Sequence, residues 1–338
     1  MRPVKAYELG EFGLIARLIE KVKRSRSGPD NATPFGVKLL LDVGDDAAAW
    51  RSGSTTEVFT TDTMVDGVHF TRQTTPWEDV GWKLMASNVS DVAAMGGLPL
   101  YALVTLGLPA DILVEEVDSL YDGMLALSAE YGVAIIGGDI VRSPVAFATV
   151  ALTGVHDGAL LLRSAARPGD QVAVTGHVGS SGGGLELMLK GVVASAVVRA
   201  ALMEAHRRPR PRIAEGRVLS REGVRCAMDV SDGLLDDLAK LCQASGVAAR
   251  LRLDRLPCHP ALAEAFPTRY RELALGGGED YELLFTAAPE LMARVLPLLP
   301  AGATVVGEIV EGKPGTVTVL DASGAEVKGL RGGWDHFR

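Results

Sequence analysis

Met228-Asp229-Val230-Ser231-Asp232-Gly233-Leu234 sets two carboxylates at the end of an apolar run and directly ahead of a helical pattern. The surrounding residues predict a strand over 225–230 and a helix over 234–244. A strand that gives out into a polar turn and then a helix is the repeating unit of α/β layers. Ser231 or Asp232 can cap that helix through a side-chain oxygen, which accounts for one carboxylate but not for its companion. The first half of the chain holds a counterpart, where the apolar run 39–43 ends at Gly44-Asp45-Asp46. Adjacent carboxylates repel each other unless a cation or solvent relieves them, so this turn is either solvated or a cation site.

Around these two points the pattern alternates. Strands are predicted over 38–43, 58–63, 101–108 and 146–155, with helices over 77–95 and 114–131 between them. A second set covers 171–175, 225–230, 248–253, 282–286 and 304–307. Turn residues between 155 and 170 mark a linker, which divides the chain into an N-terminal domain, 1–157, and a C-terminal domain, 158–338. The 338 residues, 47% of them hydrophobic, suit two cores. An amphipathic helix is expected after Glu8 and a loop over 25–36.

The balance of 34 basic against 42 acidic residues gives a net charge of -8, which argues against a large sequence-independent grip on nucleic acid. An anionic substrate would need metal ions or local arginines. Cys226, Cys242 and Cys258 are too dispersed for a disulfide framework or a structural zinc site. The chain shows neither a signal peptide nor a membrane span, so a soluble, cytoplasmic protein is expected.

Further oxygen donors follow other strands. Thr60-Thr61-Asp62-Thr63 leads into Asp66-Gly67-Val68-His69, and hydroxyls with carboxylates are hard ligands that suit Mg²⁺ better than Zn²⁺. The threonines are equally good strand formers, and His69 is either structural or a ligand. Asn88 and Asp91 share one helix face. Gly137-Gly138-Asp139 follows a strand over 134–136 and is either a plain turn or a close approach to phosphate. Asp46, Asp62, Asp91, Asp139, Asp229 and Asp232 together point to a polyphosphate site with several Mg²⁺ ions. Neither a Walker loop nor a protein-kinase signature is present. The glycine-rich stretch 175–184 either offers N–H groups to an anion or is a flexible connection. Arg142 and Arg163 are candidates to offset phosphate charge, while the basic run Arg207–Arg212 either rims an anionic pocket or is a solvated loop.

The succession GDDAA, TTDTMVDGVHF, KLMASNVSDVAAMGGLP, GGDIVRS, LLLRSAARPGD, PRPRI, MDVSDGLLDDL and LGGGEDYELLF resembles the thiamine-monophosphate kinase family. That family lies within the superfamily of aminoimidazole ribonucleotide synthetase and selenophosphate synthetase, and the resemblance covers nearly the whole chain. It implies a two-domain ATP-binding α/β (α+β) fold. The N-terminal four-stranded sheet would pair with its partner's to form a barrel across a homodimer, and ATP would lie between the N-terminal domain and a C-terminal α/β domain. The activity implied is ATP-dependent phosphorylation of thiamine monophosphate to thiamine diphosphate, the last step in making that cofactor.

Carried over by position, Asp46, Thr60, Thr61, Asp62, Asp91, Asp139, Asp229 and Asp232 would coordinate magnesium. Tyr121, Gly138, Asp139, Arg163 and Ser231 would hold ATP. His69, Glu279 and Trp334, with Asp280 nearby, would form the thiamine phosphate side. Ile140 stands where the family commonly has Thr and Asp66 where Glu is frequent, and the 25–36 loop looks long. Because the acceptor is an ionised phosphate, neither a covalent nucleophile nor an obligate general base is expected, and direct in-line transfer follows. The alternatives are another ATP-using member of the superfamily, such as aminoimidazole ribonucleotide synthetase, and a non-catalytic thiamine phosphate sensor. Selenophosphate synthetase normally needs a nucleophilic Cys or selenocysteine near its N-terminus, and here no Cys precedes Cys226.

Overall fold

The computed structural model describes Gly13, residues 38–41 and residues 45–329. The expected first helix (apart from Gly13), the 25–36 loop and Trp334 lie outside the described residues. The fold is mixed α/β with two sheets. The first has the order β1-β2-β3-β6-β4-β5, from Lys38–Leu41 (β1), Ala48–Ser52 (β2), Thr55–Val65 (β3), Leu98–Leu108 (β4), Ala134–Arg142 (β5) and Phe147–His156 (β6). It has six strands rather than four, because the short β1–β2 hairpin extends the edge beside β3. Ala48–Ser52, with two alanines and an arginine, carries no alternating pattern from which a strand could be read.

Strand alternation places the core. Ala148, Val150 and Leu152 of β6, with Val58 and Met64 of β3 and Ala102, Val104 and Leu106 of β4, turn to one face. Against that face lies helix α1, Trp77–Ala94, buried on nearly every side. Helix α2, Val114–Tyr131, crosses α1 at very short range. A Cβ on Gly81 would stand 1.9 Å from the Leu120 carbonyl oxygen, and one on Gly123 would stand 1.8 Å from that of Glu78. Only glycine allows the two backbones to meet this closely.

The second sheet has the order β12-β9-β11-β7-β10-β8, from Gln171–Thr175 (β7), Cys226–Asp229 (β8), Ala248–Arg252 (β9), Leu283–Ala287 (β10), Ala303–Val310 (β11) and Val317–Leu320 (β12). Its core includes Val172, Val174, Met228, Leu238, Leu241 and Leu284. A further cluster joins Ala93 and Ala94 of α1 to Leu161, Leu219 and Phe285 and so runs between the two sheets. Among the described residues neither sheet closes on itself, and no helix is long and apolar enough to cross a membrane.

Candidate active site

Three aspartates from separate elements converge beside α1. Asp46 precedes β2, Asp91 lies in the last turns of α1, and Asp229 ends β8. Each offers a carboxylate oxygen, and these atoms all lie within 4.8 Å of one another. Burial pushes the Asp46 carboxyl up to about 7 despite the Arg163 guanidinium, which donates to its Oδ1 at 2.5 Å. Burial, and then the neighbouring carboxylates, push Asp91 and Asp229 well above the ordinary range. Asp46 Oδ2 is buried without a hydrogen-bond partner. An all-oxygen trio whose charges repel, with one buried oxygen left without a donor, fits a hard divalent cation.

Hydroxyls orient two of the three. Thr60 Oγ1 donates to Asp91 Oδ2, and Ser90 Oγ donates to Asp229 Oδ2 at 2.7 Å. Arg163 is gripped by both members of the Asp45–Asp46 pair, at 3.3 and 2.5 Å. Next to the cluster opens a cavity of about 560 Å³ whose wall includes Asp62, His69, Asp91, Asp229, Ser231, Asp232 and Glu279. Its lining comes from β3 and α1 on one side and from the 229–232 and 276–281 loops on the other. The site is therefore assembled between the two sheets.

Other residues singled out from the sequence are placed elsewhere. Side chains alternate across a strand, so Thr61 lies on the face of β3 opposite Thr60 and Asp62, and its hydroxyl donates to the Val150 carbonyl at 2.9 Å. Asp139 is exposed and shares a register row with Thr105 and Thr149. Gly138 belongs to the same strand, because β5 does not stop at Ile136 but runs on to Arg142 beside β4. The Gly137-Gly138-Asp139 run is thus strand and not turn: a Cβ on Gly138 would stand 1.9 Å from the Val104 carbonyl oxygen. Tyr121 packs on the first core. Asp280 accepts from the Gly179 and Ser181 backbone N–H groups at 2.5 and 3.0 Å. The glycine-rich loop does offer N–H groups inward, and what they hold is the protein's own Asp280 carboxyl. None of Thr61, Tyr121, Gly138, Asp139 and Asp280 lines the cavity.

The sequence reading missed Lys83, His206, Asp237 and Lys240. Asp237 is fully buried, and its Oδ2 accepts from the backbone N–H groups of Ser231, Asp232 and Gly233 at 3.1, 3.0 and 3.1 Å. It shapes the turn that carries Asp229 and Asp232. Lys240 pairs with both Asp232 and Asp237. The available signal was the second acidic pair, Asp236-Asp237, in the first turn of the helix Leu234–Ser245.

Two domain families match the chain: "AIR synthase related protein, N-terminal domain" over residues 44–156, and the corresponding C-terminal domain over 167–320. Thiamine-monophosphate kinase of Aquifex aeolicus is 37% identical over 333 residues, covering 98% of this chain and 99% of its own length. The enzyme of that name from Escherichia coli O157:H7 is 37% identical over 97% of this chain and 98% of its own. The chain belongs to the thiamine-monophosphate kinase family. A solved structure of "AaThiL complexed with AMPPCP and TMP" superposes with a TM-score of 0.85 at 36% identity, covering 99% of this chain and 100% of that one. The convergent aspartates thus lie in a fold that, in a family member, has been seen with an ATP analogue and TMP together.

Proposed function

We propose that this protein transfers the γ-phosphoryl group of ATP to thiamine monophosphate and so produces thiamine diphosphate. The observation that carries the reading is the meeting of Asp46, Asp91 and Asp229, from both halves of the chain, beside a cavity large enough for a substrate. Asp46, Asp91 and Asp229 would hold magnesium, with Asp62, Asp232 and the Thr60 hydroxyl beside them. Bound there, the ions would neutralise the phosphates of two anionic substrates that otherwise repel.

The chain's own residues do the rest. Arg163 is held beside the cluster by Asp45 and Asp46, and its guanidinium charge can help offset that of a bound phosphate. Ser231 lies in the turn ordered by Asp237 and presents its side to the cavity. His69 and Glu279 face the acceptor end. His69 Nδ1 accepts from the Val65 N–H at 3.1 Å, which leaves Nε2 as the ring's donor. The acceptor oxygen is already anionic at neutral pH, so the side chains position and neutralise rather than abstract a proton.

The proposal includes a homodimer built on the outer face of the first sheet, where Phe59, Tyr101 and Leu103 lie 38, 50 and 47% exposed. Thr61 and Asp139 lie in that same outward register, so any part they play in the site passes through the dimer.

The test is mass-spectrometric product analysis with ATP, Mg²⁺ and thiamine monophosphate, run beside unphosphorylated thiamine and the aminoimidazole ribonucleotide precursor. Magnesium-dependent thiamine diphosphate formed from the monophosphate alone supports the reading. Turnover of the ribonucleotide precursor, or binding without release of ADP, would replace it with the synthetase or the sensor.

A further inference from the structure

Lys83 is a charged group at this site to which the reaction above gives no role. It sits in an otherwise apolar stretch of α1 with 2% of its surface exposed, and an ammonium group in such a place needs a partner. Among the described residues the only carboxylate within ion-pair distance is Glu279, whose Oε2 accepts from Nζ at 2.8 Å. The His206 ring stands against both, with Nε2 at 3.3 Å from Nζ, Nδ1 at 3.6 Å from Glu279 Oε2 and Nδ1 at 3.0 Å from Ser181 Oγ. Burial, and then the Lys83 ammonium, push that imidazole down to about 3. His206 is therefore neutral wherever the enzyme works, and Glu279 is left as the countercharge.

The backbone around Glu279 is held in an unusual shape. Glu279 and Tyr281 have φ of +64° and +51°, a region that residues with a Cβ enter only at a cost. The surroundings fix it there. The Glu279 N–H donates to the Ser231 carbonyl at 2.7 Å and that of Tyr281 to the Val230 carbonyl at 2.9 Å, while Asp280 between them is clamped by Gly179 and Ser181. The side chain of Glu279 keeps 27% of its surface open and lines the cavity. Oε2 is engaged by Lys83, so the second carboxylate oxygen is the one a ligand can use. Lys83 lies in the first half of the chain and Glu279 in the second, so the pair also bridges the cleft.

We infer that Lys83 is a positioning residue for the acceptor substrate, fixing the direction of the Glu279 carboxylate at the cavity wall so that it can take a cationic, amine-bearing ring. The inference rests on the reading of Glu279 as an acceptor-side residue. A merely structural lysine would, when removed, weaken both substrates or neither. A positioning lysine weakens one.

The experiment compares Lys83→Met, Lys83→Arg, Glu279→Gln and the Lys83→Met/Glu279→Gln pair, with KM for thiamine monophosphate and for ATP, kcat, and melting with and without an ATP analogue. The expected result for Lys83→Met is a rise of about tenfold or more in KM for the monophosphate, with KM for ATP within about twofold. Lys83→Arg should recover part of the loss. The paired variant should resemble Glu279→Gln alone, because the two residues act through one contact. If Lys83→Met is too unstable to assay, the paired variant, which removes both charges, and Lys83→Arg carry the comparison. Equal losses for both substrates, or a monophosphate KM that moves in Glu279→Gln and not in the Lys83 variants, would overturn the inference. If KM is unmoved in Glu279→Gln itself, the acceptor-side reading fails and takes the inference with it. Failure of the proposed reaction would already have shown in the wild-type product analysis.

Discussion

Asp46 has one oxygen tied to Arg163 and the other without a partner, and burial pushes its carboxyl up to about 7, as suits the proposed cation ligand. Removing that charge should therefore abolish activity without harming the fold. For Asp46→Asn and Asp229→Asn the expected outcome is a loss of phosphoryl transfer of about a hundredfold or more, with melting in metal-free buffer unchanged or slightly raised. Stabilisation by Mg²⁺ with ATP should shrink in both variants. Calorimetry beside the product assay checks both parts, and near-normal turnover would remove these residues from the site. His206 makes the opposite kind of statement about pH. Its folded value, about 3, lies below the ordinary 6.5, so the unfolded chain takes up a proton that the folded protein refuses. Stability is therefore fully present above 6.5 and is lost as pH falls toward 3. His206→Gln should flatten that part of the stability–pH curve by on the order of a few kcal/mol between the two limits, measured by denaturant unfolding at successive pH values.

The element that the sequence reading left most open is the basic run Arg207–Arg212, which proves to be a strap between the two halves. Arg207 donates to the Thr74 carbonyl, Arg208 pairs with Asp79 and Glu78, and Arg210 pairs with Glu130. The Trp82 indole N–H donates to the Pro209 carbonyl, and Arg212 meets Glu282 through both arms of its guanidinium. Composition announced a charged, extended segment, but a run of arginines looks the same whether its partners are solvent, a ligand or acidic side chains distant in the sequence. The same limit explains the other misses. Helices α1 and α2 and strand β7 were legible because their apolar periodicity is local, and Asp46, Asp91 and Asp229 because each lies near the end of an element. Thr61 and Asp139 depend on which face of a sheet a residue takes, and Lys83 with His206 on a contact between distant helices; no short-range pattern carries either fact. Arg212→Ala should strand the buried Glu282 carboxylate and destabilise the protein by about 3 kcal/mol, read by urea unfolding, and Glu282→Gln in the same background should recover part of it. Gly123→Ala should also destabilise, by roughly 1–3 kcal/mol, because α2 would have to move away from the Glu78 carbonyl.

At the scale of the whole molecule, the two sheets bury their inner faces against helices, and the question is what the outer face of the first sheet meets. Phe59 on β3, Thr153 on β6 and Tyr101 on β4 share one register row, and Thr61, Ala151 and Leu103 share the next. These rows form a continuous surface of mixed aromatic, aliphatic and threonine side chains, facing away from α1. Strand β5 adds an edge whose Ile136 and Ile140 are 61 and 64% exposed. A partly apolar exposed face beside a strand edge that is unpaired among the described residues is the kind of feature that proteins cover, since exposed it invites indiscriminate pairing. A second copy of the chain would cover it symmetrically and close the open sheet into a barrel. The intact protein should then sediment at twice its 35.6 kDa chain mass. Leu103→Asp places an uncompensated charge at the centre of the proposed contact and should shift the protein to a single-chain species with a lower melting temperature, while the Asp46–Asp91–Asp229 cluster, which lies on the other side of the sheet, keeps its residues in place. Sedimentation velocity over a range of concentrations reads the outcome directly: a Leu103→Asp protein that remains at twice the chain mass would move the interface to another surface.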